Sequence, residues 1–490
     1  MWLFNLISGL CLPLGFAPFS YWWLLPLLLL VPLLSWPLVE GRAAFKLGFV
    51  FGAGVFLSGT YWLYISVHVF GGSPLWLAVL LMLGLVAIMA LYFGLTAVLV
   101  TRLCSVGSSV LAQILVWVAA WVLLEWLRGW VLSGFPWISL GYGLIDSPLA
   151  GYAPLLGVYG VSLTLIVFSV LLKVALQLAS WRSLYPLACA AVLMFAGQWL
   201  TKLDWTETID SDVRVLLVQG SIEQDKKWLP ESLYPTLQLY HDLTQQGLGA
   251  DVIVWPEVSL PANRQQLPAF INQMHVQAEQ AGSSLALGIL DYDFDLESSR
   301  NSLLAIGNTS GIYAKRHLVP FGEYFPVPDF VREWMRLMSL PASDIIAGDA
   351  EQPLLVLGGY PVASSICYED AFASEQRSAF PEAKFIVNVT NDAWFGDSIA
   401  AHHHLDIARM RSLESGRWQL RVANTGITAI IDSTGALRDY LPQFTAAALP
   451  GSIQARGGLT PYLATGDAPM MSFCLIVLVF FEIRRRRAVS

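Results

Sequence analysis

The first 200 residues carry nine Asp, Glu, Lys or Arg side chains in total: Glu40, Arg42, Lys46, Arg102, Glu125, Arg128, Asp146, Lys173 and Arg182. A soluble domain averages about 25% charged residues, so a stretch this poor in charge cannot keep a surface of its own in water. In hydrocarbon, every backbone N–H and C=O must be satisfied within the structure, which leaves helices and closed barrels. A spanning helix needs about 20 mostly apolar residues. Seven stretches are candidates: about 2–18, 21–38, 45–68, 74–101, 109–133, 153–179 and 183–200. The first has no basic n-region and is followed at once by further spans, so it does not read as a removable leader. It is short, and Pro13 makes it irregular. An eighth candidate, about 468–483, is also short and runs into Arg484-Arg-Arg-Arg487.

The basic residues between these spans set their expected orientation. Arg42 and Lys46 lie between the second and third or at the first turn of the third, Arg102 between the fourth and fifth, and Lys173 and Arg182 at the end of the sixth and before the seventh. Together with the terminal arginines they fall on one side only if the N-terminus is cytoplasmic. Both termini are then expected in the cytoplasm, with residues 201–467 outside the cytoplasmic membrane. The expected organisation is a membrane domain over 1–200, an extracytoplasmic domain over 201–467, and a C-terminal helix with a basic tail over 468–490.

From 201 to 468 the chain has 32 acids and 18 bases, an ordinary soluble density. It has no basic stripe of the kind a nucleic-acid partner requires. Val213–Gln219, Asp251–Trp255, Ser284–Leu290, Ser302–Ile306, Val362–Ile366 and Phe385–Val389 read as strands. Residues 231–247, 265–281 and 401–417 read as helices. Strands interleaved with helices argue for an α/β or α+β sandwich, and about 270 residues suffice for one large domain. Cys11, Cys104, Cys189 and Cys474 fall in apolar segments, where a thiol behaves as a small hydrophobe. Cys367 is the only cysteine of the extracytoplasmic part, so no disulfide within it is available.

Three short sequences in that part carry chemistry. Val252-Ile-Val-Trp-Pro-Glu257 is a strand stopped by proline, with a carboxylate just beyond. Tyr313-Ala-Lys-Arg-His-Leu-Val-Pro-Phe-Gly-Glu323 places Lys315 before a turn and Glu323 after it. Pro361-Val-Ala-Ser-Ser-Ile-Cys-Tyr-Glu-Asp370 is an apolar run that ends in a thiol followed by two acids. Each feature taken singly has a bland reading, since acids and lysines are mostly exposed and a buried thiol is mostly inert. Together they hold what acyl transfer through a thioester requires. A carboxylate takes the thiol proton and later activates the acceptor. A cation stabilises the developing oxyanion.

Trp-Pro-Glu257, Lys315 with His-Leu-Val-Pro-Phe-Gly-Glu323, and Cys367-Tyr-Glu resemble the Glu-Lys-Cys triad of the nitrilase superfamily. Asn391-Asp-Ala-Trp-Phe-Gly396, Ala408-Arg-Met-Arg-Ser-Leu-Glu414, Gly71-Gly, Leu127-Arg-Gly-Trp, Ser133-Gly-Phe-Pro-Trp137 and Tyr142 narrow the match. Over essentially its full length the chain resembles the apolipoprotein N-acyltransferase family, the membrane-embedded branch of that superfamily. The resemblance implies a polytopic helical membrane domain joined to an αββα nitrilase-like sandwich that faces the periplasm. It implies that Cys367 takes an acyl chain as a thioester from the sn-1 position of a phospholipid such as phosphatidylethanolamine. The α-amine of the diacylglyceryl-cysteine of an apolipoprotein then receives it. Glu257 is implied as the general base, Lys315 as the oxyanion stabiliser and Glu323 as a second carboxylate. Trp228, Tyr368 and Glu369 are implied as supporting residues. No cofactor is implied, and a monomer is expected. A membrane-tethered amidase that hydrolyses its thioester with water is the rival enzyme, because the same triad serves both. A transporter or receptor that has lost the chemistry is the rival non-enzyme, and the presence of all three triad residues speaks against it.

Three further features stay outside this scheme. Glu125 and Arg128 sit three apart on one helical face and read as a structural ion pair near the outer end of their span, although intramembrane charges are often functional. His402-His-His404 suggests a metal, but consecutive residues on a helix point about 100° apart and cannot converge on one ion. Phe330–Leu340 has an apolar stripe with basic residues, which suits either a lid dipping into the membrane interface or a packed helix.

Overall fold

The computed structural model describes residues 1–104, 107–178, 180–324 and 345–489. The segment Phe330–Leu340 therefore lies outside the described residues. The chain divides into two compact units. One comprises Met1–Trp205, Phe395–Met410 and Thr460–Ser490, and the other Thr206–Trp394 and Arg411–Leu459.

The first unit is helical. Among the described residues, five helices are long and apolar enough to cross a membrane: Gly41–Gly59, Leu75–Leu103, Val110–Arg128, Pro148–Leu178 and Trp181–Leu200. The two N-terminal candidates form shorter apolar helices, Trp2–Gly15 and Leu24–Leu38. They fall short of the expected spans because Pro13 and Pro37 each sit in a terminal 3-10 turn, where a ring without an N–H ends regular α-helix. Ala468–Val489 is a single helix. Glycine allows the first and third segments to touch backbone to backbone, since a Cβ on Gly9 would lie 2.1 Å from the Phe51 carbonyl oxygen. Small residues serve this purpose wherever helices associate without a hydrophobic driving force.

Glu125 and Arg128 do not form the expected bridge to one another. Both turn instead to the loop that follows their helix. The Leu140 N–H donates to Glu125 Oε1 at 2.7 Å. Arg128 donates to the carbonyls of Phe135 (2.7 Å) and Trp137 (2.6 Å) and to Ser139 Oγ (3.2 Å). The pair thus supplies the buried polar partners that an irregular segment needs at this depth. In the helix Ile399–Ser415, His403 lies 5.8 Å from the Phe16 ring and His404 lies 5.5 Å from the Trp137 ring. Each imidazole thus has its own aromatic neighbour. Among the described residues, no group of three His, Cys, Asp or Glu is placed to hold a metal ion.

The second unit is a two-sheet α/β sandwich. Its strands are β1 (Glu207–Gln219), β2 (Val252–Val254), β3 (Ser284–Asp293), β4 (Ser298–Gly307), β5 (Gly311–Ala314), β6 (Leu355–Leu357), β7 (Tyr360–Ile366), β8 (Phe385–Thr390), β9 (Gln419–Ala423), β10 (Thr428–Ile431), β11 (Leu437–Leu441) and β12 (Ala447–Gly457). One sheet runs β12-β1-β2-β3-β4-β5 and the other β11-β10-β9-β8-β7-β6. Each has a parallel triple, β1-β2-β3 and β7-β8-β9, extended by antiparallel neighbours. All six strands expected from the sequence are present. Of the expected helices, Leu233–Gln245 and Pro268–Gln280 share an apolar cluster with one face of the first sheet.

Alternation along the strands separates two environments. Val252, Val254, Val362, Ile366, Phe385, Val387, Val389, Leu420 and Val422 meet in the apolar layer between the sheets. Residues of opposite parity on the second sheet include Ser365, Asn388, Gln419 and Arg421, all fully buried. These polar groups are hydrogen-bonded on that face, as burial requires.

Candidate active site

Open α/β sheets present ligand-facing residues beyond the carboxyl ends of their parallel strands. β2 ends at Val254, and three residues later Glu257 stands 6% exposed. Gly288 on β3 allows this turn, because a Cβ there would sit 2.3 Å from the Pro256 carbonyl oxygen. β7 ends at Ile366, and Cys367 follows with φ of 54°. That left-handed conformation costs an L-residue roughly 1–2 kcal/mol and lifts the side chain out of the pleat. β5 ends at Ala314, and Lys315, 1% exposed, follows with its N–H bonded to the Asn301 carbonyl at 2.8 Å.

Lys315 is held between two carboxylates. Its Nζ lies 2.9 Å from Glu323 and 3.5 Å from Glu257 Oε1. Burial alone would pull this ammonium's pKa down, but the charges of Glu323 and Glu257 outweigh it and leave the pKa above the usual lysine range. Glu323 is fixed in turn by the Val319 N–H at 2.8 Å. Asn301, 3% exposed on β4, ties the carboxylates together: its Nδ2 donates to Glu257 Oε1 at 2.7 Å and to Glu323 Oε1 at 3.1 Å. Asn301 lies inside a strand and carries no local sequence signal. Burial pushes the Cys367 thiol pKa up, the negative charge of Glu257 pushes it further, and Lys315 acts against both. At rest the sulfur therefore keeps its proton.

Glu369 is the structural pivot of the site. Its carboxylate accepts from the N–H groups of Ile366 (2.7 Å), Arg316 (2.7 Å) and His317 (3.1 Å), and from the Tyr313 hydroxyl. It thereby fastens the strand end before Cys367 to the turn after Lys315. Tyr368 is buried edge-on against Phe372, with centroids 5.0 Å apart, and its ring lies 5.8 Å from that of His317. Trp228 is not drawn into this cluster, since its indole is 51% exposed and makes no hydrogen bond or ring contact among the described residues. The neighbouring Lys227 is the buried one, its pKa lowered to about 8 by desolvation against the charge of Glu257.

Asp370, which has no role in the acyl-transfer scheme, anchors the layer beneath Cys367. It accepts from Ser365 Oγ (2.9 Å), Gln376 Nε2 (2.9 Å) and Gln419 Nε2 (2.8 Å). Arg421 lies 3.9 Å from it and 2.9 Å from Asp392. All three charges are essentially inaccessible to water. Replacing Arg421 by Met is expected to cost about 3–5 kcal/mol, because two buried carboxylates lose their counter-charge. The check is a clearly lowered melting temperature of the detergent-solubilised variant, and an unchanged one would contradict it.

A thiol, an ammonium and two carboxylates at the strand ends of a two-sheet α/β unit define a carbon–nitrogen-hydrolase-type enzyme, and the carbon–nitrogen hydrolase family model matches residues 214–458. The apolipoprotein N-acyltransferase N-terminal domain model matches residues 8–171. An apolipoprotein N-acyltransferase of Methylococcus capsulatus is 40% identical over 100% of this chain and 97% of its own length. One of Photobacterium profundum is 38% identical over 98% of this chain and 94% of its own. Among solved structures, a CN-hydrolase superfamily protein of Xanthomonas campestris aligns at 19% identity and a TM-score of 0.37, covering 53% of this chain and 96% of that one. The chain belongs to the apolipoprotein N-acyltransferase family and is an acyltransferase.

Proposed function

We propose that this enzyme moves an acyl chain from the sn-1 position of a phospholipid, with phosphatidylethanolamine as the leading donor, to the α-amine of the N-terminal diacylglyceryl-cysteine of apolipoproteins. The observation that carries the reading is the Lys315 ammonium lying 3.5 Å from Glu257 and 2.9 Å from Glu323, next to a thiol that feels both Glu257 and Lys315. Cys367 is the nucleophile, Glu257 the general acid–base, and Lys315 the oxyanion stabiliser. Glu323 keeps Lys315 charged and in place. Glu369 positions Cys367 and Lys315, and Tyr368 and Trp228 are assigned to substrate support.

In the first half-reaction Glu257 takes the Cys367 proton and the sulfur attacks the ester carbonyl. The oxyanion develops beside Lys315. Glu257 then returns the proton to the departing glycerol oxygen, the lysophospholipid leaves, and a thioester remains. In the second, the acceptor amine, whose free pKa is about 8, attacks the thioester and gives a proton to Glu257. The thiolate departs and recovers that proton. The basic loops support cytoplasmic termini and a catalytic unit on the periplasmic side of the inner membrane. A monomer suffices, since one chain supplies every group used.

In mixed micelles of phosphatidylethanolamine and enzyme, lysophospholipid release is expected to stop after about one equivalent. Continued release should require a diacylated lipopeptide with a free α-amine. Sustained release without any amine would favour the hydrolytic amidase reading instead.

A further inference from the structure

We propose that Thr390 is a further catalytic residue of this site: its hydroxyl donates to the Cys367 sulfur when that sulfur is negatively charged and to Asp392 when it is not. The inference rests on the acyl-thioester reading and assigns a group that this reading leaves unused.

The placement follows from strand register. β7 and β8 run parallel with Ile366 opposite Val389, so Cys367 and Thr390 are the next residues along each strand. Thr390 is still within β8, pairs with Ala423 of β9, and is fully buried. Its position is therefore set by the pairing with β9 and by the Asn424 N–H, which donates to its carbonyl at 3.1 Å. The Thr390 hydroxyl donates to Asp392 Oδ1 at 3.1 Å, and it acts on the Cys367 thiol in the direction that favours the thiolate. Asp392 is held at its other oxygen by Arg421 Nη2 at 2.9 Å, and Arg421 is held by Asn388 Oδ1 at 3.0 Å.

A hydroxyl has one proton and two acceptors here. While the thiol is neutral, the carboxylate of Asp392 is the stronger acceptor and takes it. When Glu257 removes the thiol proton, the sulfur becomes an anion and the hydroxyl can turn to it. Asp392 keeps its bond to Arg421 throughout, so the turn leaves no buried carboxylate without a partner. Once the thioester forms, the sulfur is neutral and the hydroxyl returns. The same exchange repeats when the amine expels the thiolate. No bond other than the hydrogen bond changes, and no proton leaves Thr390. The other charged groups acting on the sulfur are Glu257, Lys315 and Asp392 itself. Of these charges only Lys315 favours the thiolate, so a neutral donor at the matching end of the neighbouring strand fills a gap in the site.

The test uses full-length enzyme in detergent. The alkylation rate of Cys367 by iodoacetamide is read by mass spectrometry of its peptide across a range of pH. Thr390→Val and Thr390→Ala are each expected to slow alkylation at a fixed neutral pH by about ten- to a hundred-fold, the value of a hydrogen bond to a charged group. Thr390→Ser keeps the hydroxyl and is expected within about three-fold of the parent. Acyl-adduct formation should fall in the same order. If the Val and Ala variants are folded and alkylate at the parental rate, or if Ser is as slow as Val, the inference is overturned. The Ala variant guards against a Val side chain that fails to fit. Alkylation needs no lipid, so a parent that forms no acyl adduct would refute the proposed function while the alkylation contrast still decides Thr390.

Discussion

Cys367→Ala is expected to abolish acyl transfer, lowering turnover by roughly 10⁴- to 10⁶-fold as loss of a covalent nucleophile does. The parent enzyme, given phospholipid and no acceptor, is expected to accumulate a hydroxylamine-labile acyl group on the Cys367 peptide. The variant should accumulate none. A folding defect is not expected to confuse the result. Cys367 sits at φ 54°, and alanine pays a similar steric cost there. The strand end before it is held by a bond that does not involve the thiol, the Ile366 N–H to Glu369 at 2.7 Å. The remaining four cysteines lie in the helical unit and serve as internal controls for adventitious acylation. Single-turnover labelling that found no acyl group on Cys367 would refute the covalent mechanism, even if steady-state transfer were observed.

Much of this arrangement was legible in the sequence for physical reasons. A membrane forbids unsatisfied backbone, so the charge-poor stretches announced helices. Their lengths are less legible: prolines cut the first two short, and the third ends at Gly59 before a separate turn and π-helix. Glu257, Lys315 and Cys367 were legible because each closes a short β-rich run, and groups beyond strand ends converge in a sandwich. Glu369 follows the same rule two residues past Cys367, whereas Glu323 sits in the turn beyond Lys315, its N–H bonded to the Val319 carbonyl. The partners Asn301, Thr390 and Arg421 were not legible. Each lies inside a strand, where a polar residue reads as an ordinary surface position until the sheet order shows that the face is buried. β9 itself was missed because Arg421 interrupts its apolar pattern, although Arg421 is fully buried. Trp228 marks the opposite limit: its motif pointed to the site, while its side chain stands half in solvent. The resemblance carries what the local physics cannot place.

Glu257→Gln separates two things that the nucleophile variant cannot, the making of a thiolate and the use of it. In the resting site the Cys367 pKa is raised by burial first and by the Glu257 charge second. Removing that charge leaves Lys315 acting on the sulfur with less opposition, so the thiolate becomes easier to form. Alkylation of Cys367 in Glu257→Gln is accordingly expected to be no slower than in the parent. Acylation is expected to fall by about 10²- to 10⁴-fold, the usual contribution of a general acid–base. The reason lies in the tetrahedral intermediate. It can expel either the thiolate or the glycerol alkoxide, and the alkoxide is by far the more basic. Without a proton from Glu257 the thiolate leaves, and the ester is restored. Glu323 does not substitute, because its oxygens are already engaged by Lys315 at 2.9 Å and by the Val319 N–H at 2.8 Å. The glutamine keeps an oxygen to accept from Asn301 Nδ2, so the hydrogen bond of 2.7 Å has a neutral replacement and the fold is preserved. Stopped-flow release of lysophospholipid, set beside the alkylation rate of the same preparation, gives both quantities. Acylation within about ten-fold of the parent would show that another group protonates the leaving oxygen, and Glu257 would lose its assigned role.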